Sequence, residues 1–193
     1  MTKRKVKEAG LLICLLLIAM GTKAQDVSIK TNLIYDFGTL TPDLGIEVGL
    51  AKKWSFDGLV AYAPFSYDGN KTKKHLLIQP GVRYWLCTRG SGSFFGLHGH
   101  WGAFNEGGYK LPFGLFSSIQ DNRYEGKLWG GGISYGYQYP LSRHWALEGE
   151  IGAGFNHAWY DIYQCPTCGD KIGEGKKNFF SPTKAVVNII YQF

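Results

Sequence analysis

The stretch Thr183–Phe193, TKAVVNIIYQF, ends the chain on an alternating run and a bare aromatic. Ala185, Val187, Ile189, Tyr191 and Phe193 share one face, and Lys184, Asn188 and Gln192 the other. A repeat of two is the pattern of a strand with one apolar side. A frayed, solvated terminus gives no reason for a final Phe. A strand that must pair with the first one to close a barrel does, because lipid cannot satisfy an open sheet edge. The tail therefore reads as a closing strand.

Working back from it, the chain resolves into about eight alternating segments. They begin at DVSIKTNLIYDF, DLGIEVGL, WSFDGLVAY, HLLIQPGVRYWLC, FFGLHGHWGAF, LWGGGISYGYQY, WALEGEIGAGFNH and the tail itself. Their apolar faces carry Ile46, Val60, Ile78, Leu97, Ile133, Ile151 and Ile189. Their other faces are mostly Gly, Ser, Ala and Asn, with Glu47, Asp57, Arg83, Glu148, Glu150 and Lys184. Leu59, Leu77, Trp85, Val186 and Ile190 break the pattern by falling on the polar side. The connections AKK, TRGSGS and PLSRH are short, whereas GTLTP and the regions 63–74, 105–123 and 158–182 lengthen along the chain. This reads as an all-β, eight-stranded antiparallel up-and-down transmembrane β-barrel, with the termini at the short-turn end. A soluble lipocalin-type barrel with its apolar face inward is the competing architecture. The small, sparsely charged polar face suits a narrow lumen better than a solvated exterior. Trp54, Tyr84, Tyr137, Tyr139, Trp145, Tyr191 and Phe193 collect near one end. Tyr35, Phe37, Tyr62, Trp101 and Trp159 collect near the other, as two interfacial girdles would.

The N-terminus supports export. MTKRKVKEAG is basic, LLICLLLIAM is a short apolar run, and GTKA precedes Gln25. Residues 1–24 read as a signal peptide and 25–193 as the outer-membrane barrel, in the outer membrane of a Gram-negative cell. The apolar run is shorter than the roughly 20 residues of a membrane helix. Cys14 lies within it, not after small residues at its end, which argues against lipidation. The signal holds five bases and one acid, so it carries +4 of the formal +6. The remainder has 16 bases and 14 acids, a charge of +2. Nucleic acid is therefore not an expected partner.

The sharpest local motif is YQCPTCGD. Cys165 and Cys168 form a knuckle that suits a disulfide in an exported protein, and only weakly a metal site, which needs four ligands. Free thiols remain the third possibility, and no cofactor is expected. His98 and His100 share the polar face and could meet Ser134, Glu148 or Glu150, but no esterase motif accompanies them. Gly130–Gly132 with Gly136 lies within a strand, where close packing explains it better than a nucleotide loop. KLPFGLF in the third long loop invites a partner or an interfacial contact.

Taken in order, LIQPGVRYWLC, FFGLHGHWGAFN, GGYKLPFGLF, DNRYEG, GISYGYQYPL, CPTCGDK and FFSPTKA carry a resemblance over residues 28–193. The chain resembles a family of unknown-function small outer-membrane β-barrel proteins from Gram-negative gut anaerobes, often encoded near fimbrial genes. The resemblance implies a non-enzymatic structural, anchoring or surface-interaction role, with a surface or fimbrial protein as partner and no catalytic residues to carry over. The Tyr191–Phe193 ending resembles the signal read by the barrel-assembly machinery, and outer-membrane lipid is the other expected partner. The alternative is an outer-membrane enzyme acting on lipid A or another lipid or peptide through the barrel His and acidic residues.

Overall fold

The computed structural model describes residues 27–38, 41–67, 71–107, 122–164 and 169–193. The expected signal peptide, the KLPFGLF segment and the Cys165–Cys168 knuckle lie outside them. Eight strands follow one another around a single antiparallel sheet: β1 (Val27–Asn32), β2 (Asp43–Ala51), β3 (Trp54–Tyr67), β4 (Lys71–Trp85), β5 (Gly92–Gly107), β6 (Arg123–Pro140), β7 (Trp145–Tyr163) and β8 (Lys171–Gln192). β1 pairs with β2 on one side and β8 on the other, which closes the ring.

The register shows how the strands tilt. Ser28 leads through Glu47, Asp57, Gly81, His98, Gly132 and Gly154 to Ser181, yet Ser28 itself pairs with Gln192. One circuit thus returns 192 − 181 = 11 residues out of step. Strands in a closed barrel must be staggered and inclined in this way. Part of the offset comes from a bulge in β8 between its pairings with Gly152 and Ala153.

Two features correct the expectation of eight equivalent membrane-spanning strands. The first is closure. β1 pairs with β8 only from Ser28↔Gln192 to Asn32↔Asn188. Beyond Asn188, residues Lys171–Val187 of β8 pair with β7 alone among the described residues. At six residues, β1 is shorter than the 9–11 of a spanning strand. The segment DVSIKTNLIYDF therefore does not stay extended to Phe37; it turns after Asn32 into a π-helical turn, Ile34–Gly38. Side-chain chemistry ends the strand. Asn32 Oδ1 accepts from the Ile34 amide at 3.0 Å and from the Val187 amide at 3.3 Å. Asp43 Oδ1 accepts from the Asn32 amide at 2.8 Å, and the Thr31 hydroxyl donates to Asp36 Oδ2 at 2.6 Å. Asn and Asp offer the backbone such local partners in place of a ladder.

The second correction concerns length. Strands grow from 9 residues in β2 to 22 in β8. Much of what reads as loop, around 63–74 and 158–182, is paired strand: Tyr67 pairs with Lys71 and, past a register shift at Ile162/Tyr163, Tyr163 pairs with Lys171. Backbone pairing does not require an alternating pattern, so it continues into segments such as KIGEGKKN after the apolar face has stopped.

The outside is apolar and the inside polar. Ile133 and Ile151 are each 70% exposed, while Glu148 is fully buried. The residues that break the alternation fill the lumen at its two ends. Trp85, Phe94 and Ile190 are fully buried towards the short turns, and Leu59, Ala61 and Ala158 are buried towards the other end. Small residues make this filling possible: a Cβ on Gly136 would collide with the Phe94 ring.

Amide exchange provides a test of the partial closure. Successive amides of a strand point to opposite neighbours. In Ile172–Phe180, alternate amides should exchange quickly and the intervening ones slowly, whereas Asn188–Gln192 should be slow throughout. Uniform protection from Ile172 to Gln192, measured by NMR in micelles, would show that the upper edge of β8 is covered.

Candidate functional site

Seven ionisable side chains meet in the middle of the lumen. Each comes from an inward position in its strand: Lys30 (β1), Glu47 (β2), Asp57 (β3), Arg83 (β4), Glu148 and Glu150 (β7), and Lys184 (β8). All are buried, with three cations facing four carboxylates.

Arg83 is the hub. Its Nη1 donates to Glu47 Oε2 at 2.8 Å and Glu148 Oε2 at 2.6 Å. Its Nη2 donates to Glu148 Oε1 at 3.0 Å and Glu150 Oε2 at 2.5 Å, with Asp57 Oδ2 at 3.4 Å. The planar guanidinium fork suits bidentate binding of Glu148. Lys30 Nζ lies 2.5 Å from Asp57 Oδ1 and 3.1 Å from Glu47 Oε2. Lys184 Nζ bridges Asp57 Oδ2 at 3.0 Å and Glu150 Oε1 at 3.1 Å. Neutral donors complete the shell: Asn188 Nδ2 donates to Glu148 Oε1 at 2.7 Å, and the Ser55 hydroxyl donates to Glu47 Oε1 at 2.6 Å. Below, Trp85 Nε1 donates to Ser55 Oγ at 2.9 Å, and the Arg83 guanidinium stacks 4.3 Å from the Phe94 ring centre. This layer caps the aromatic filling at the short-turn end.

The histidines lie in the next layer. His98 Nε2 is 2.9 Å from Thr183 Oγ1, and His100 Nε2 is 2.7 Å from Asn156 Oδ1. Gln79 Nε2 donates to the Thr183 carbonyl at 3.2 Å, tying the β8 bulge to β4. Ser134 Oγ is buried and has no hydrogen-bond partner.

This arrangement does not assemble the His–Ser–carboxylate set that the sequence suggested. Neither histidine hydrogen-bonds to Ser134, Glu148 or Glu150 among the described residues, and both carboxylates are engaged by Arg83. A nucleophile, a base and its orienting acid must lie in hydrogen-bonding sequence, and among the described residues they do not. The expectation of a long fourth loop is corrected as well. The region 158–182, which would present a fourth long loop, is largely paired strand, and only 164–170 connects β7 to β8. No cluster of three metal-binding side chains occurs among the described residues. Cys87 is an exposed free thiol beside a short turn.

Sequence reading set six of the seven network residues, Glu47, Asp57, Arg83, Glu148, Glu150 and Lys184, on the polar face of their strands. It did not anticipate Arg83 as the common partner of four carboxylates. Period two gives the face of a residue but not its height in a sheared barrel, so which charges meet is set by register.

A side-chain-filled antiparallel β-barrel with an apolar exterior is thus the class that fold and lumen define. The chain belongs to the family described as Protein of unknown function (DUF3575), whose model matches residues 10–193. No curated protein and no solved structure matches it.

Removing the hub should be costly. Arg83→Met leaves four buried carboxylates with two lysines, and breaking such a group typically costs about 3–5 kcal/mol. Urea unfolding of the folded protein in vesicles, followed by Trp fluorescence, should show that loss. Adding Glu148→Gln and Glu150→Gln to the same chain should restore a large part of it. A loss below ~1 kcal/mol for Arg83→Met alone would remove the hub role.

Proposed function

We propose that the barrel works embedded in the outer-membrane bilayer, with lipid as its immediate partner, as a sealed body and not a conduit. One observation carries this reading: the two faces of the sheet are inverted relative to a water-soluble barrel. Leu97, Ile133, Ile151 and Phe155 stand outward and exposed, while Lys30, Arg83, Lys184 and four carboxylates are buried. In water that exterior would be an apolar patch far larger than soluble monomers carry. Against acyl chains it is the expected surface.

The ends of the apolar band carry aromatic rings. Trp54, Tyr137, Tyr139, Trp145 and Phe193 are exposed near the short turns. Tyr191 meets Trp145 and Phe193 edge to face, with ring centres 5.1 and 5.2 Å apart. Tyr62, Trp101, Trp129 and Trp159 are exposed towards the other end. Amphipathic rings at two levels match the preference of Tyr and Trp for the bilayer interfaces. Tyr35 does not belong to this upper set, since it lies in the π-helical turn.

The filled lumen argues against transport through the barrel. Trp85, Phe94 and Ile190 occupy one end, the ion network the middle, and Leu59, Ala61 and Ala158 the far end. Eight strands leave room for side chains and little else.

Three measurements test the proposal. The mature protein should partition into detergent or bilayer and leave planar membranes non-conducting. Ile151→Lys places a cation at an outward position paired between Tyr135 and Ala185. In vesicles it should lower unfolding free energy by about 2–4 kcal/mol, the range for a lysine near the bilayer midplane. An effect within about 0.5 kcal/mol, as for an exposed substitution in water, together with solubility free of detergent, would defeat the lipid-embedded reading.

A further inference from the structure

The lumen is hollow at its long-strand end. A chamber of about 750 Å³ opens there, and one cross-strand row lines it: Ala63 on β3, His75 on β4, Phe104 on β5, Gly126 on β6 and Tyr160 on β7. These are inward positions, each an even number of residues from Asp57, Arg83, His98, Ser134 or Glu150 in the same strand. The row beneath, Ala61, Leu77, Gly102, Leu128 and Ala158, is apolar and separates the chamber from His100 and Asn156.

The two ends of the lumen are built in opposite ways. Towards the short turns, the inward positions hold Trp85 and Phe94, both fully buried. At the long-strand end small residues dominate, and the rings of Phe104 and Tyr160 are partly exposed. Gly126 stands between those two and pairs with both. A Cβ there would collide with the Trp159 carbonyl, so no side chain fills the interval. A Cβ on Gly175 would lie 2.7 Å from the Tyr160 ring, which sets that ring over β8 and away from Gly126. The backbones of Phe104 and Tyr160 are two strand spacings apart, about 9–10 Å. A flat ring between two others needs roughly 7–8 Å, twice the optimal carbon separation.

Fixed charge is kept out of this row. The charged residues of the same segments, Lys74, Glu125, Lys127 and Asp161, occupy the alternate positions. Lys177, which continues the lower row on β8, is exposed and lies outside the chamber's lining. The polar side-chain groups of the row are the His75 imidazole and the Tyr160 hydroxyl.

We infer that the chamber is a binding site for an uncharged, planar aromatic molecule, stacked between Phe104 and Tyr160 over Gly126. Barrel mouths are a recurrent place for small-molecule sites, and the volume lies within their usual span of about 300–1,000 Å³. Aromatic faces favour flat partners beyond the area that they bury. The inference goes beyond the sealed-body reading by giving that body a ligand, and it does not depend on what surrounds the barrel.

The test is methyl NMR of the mature barrel in micelles. The probes are 2-naphthol, its non-planar analogue decahydro-2-naphthol, and the anionic 2-naphthalenesulfonate. Ala63 and Leu128 report on the lumen, Ile133 and Ile151 on the exterior. In wild type, 2-naphthol should shift the Ala63 and Leu128 signals saturably, at a concentration about tenfold below that needed by either analogue, the upper range for one aromatic pair. F104L and Y160L should remove that advantage, whereas F155L, which alters an outward ring on β7, should keep it. Shifts confined to Ile133 and Ile151 put the probe in detergent and overturn the chamber as a site. An equal response to decahydro-2-naphthol overturns the planar class, and a stronger one to the sulfonate overturns the uncharged class. An undiminished advantage in F104L and Y160L overturns the residue assignment. Saturable binding by a chain that proves soluble without detergent supports the chamber and removes the lipid-embedded reading alone.

Discussion

The Arg83 guanidinium holds four carboxylates from three strands, and the closure of the sheet depends on that arrangement. The network draws on β1, β2, β3, β4, β7 and β8, the strands on either side of the β1–β8 junction, and takes nothing from β5 or β6. The two seams of β1 are the shortest in the ring, with four residue pairs to β2 and five to β8 against eighteen between β6 and β7. Lys30 on β1 and Lys184 on β8 both bind Asp57 on β3. The ion pairs thus cross-link through the lumen what the backbone ladder joins only briefly at the wall. Buried ion pairs are often no better for stability than packed hydrophobic groups. Here their use is geometric, because long side chains can reach across a lumen and a ladder cannot.

The opposite wall makes room for the hub. Gly96 on β5 pairs with Arg83 and with Ser134. A Cβ on Gly96 would collide with the Ser134 hydroxyl and press on Glu150 Oε1. Small residues on β5 and β6 thus serve the charged residues on the other six strands. The same division explains the layers: charge sits where β1 is present to supply Lys30, and apolar filling takes over above and below.

Sequence alone revealed the faces. Alternation in WALEGEIGAGFNH sets Ile151 and Phe155 outward and Glu148 and Glu150 inward, because a strand has only two sides. It revealed less about length and ends. DVSIKTNLIYDF alternates apolar and polar residues through Phe37, yet Asn32 and Asp43 capture the local amides and stop β1. That competition involves residues eleven apart and leaves no trace in a periodic pattern. The Lys- and Gly-rich part of β8 was hidden for the opposite reason. Beyond an apolar band both faces can be polar, so the strand continues without its signature. Trp85 and Ile190 look like errors in the pattern and are instead the lumen's filling, a distinction that depends on the height each residue reaches in a tilted sheet.

The open edge of β8 fits the same physical account. An unpaired edge is severely unfavourable in hydrocarbon and tolerable in water. Lys171, Glu174, Lys176, Lys177 and Asn178 are all exposed, and they occupy the part of β8 farthest from the closing pairs. Nearer the band, Pro182 has no amide to leave unpaired, the Thr183 carbonyl accepts from Gln79, and the Val187 amide donates to Asn32. The edge is therefore polar where it can be solvated and capped by side chains or proline where it nears the apolar exterior. That gradient is what a barrel closing over only part of its height requires in order to avoid pairing edge to edge.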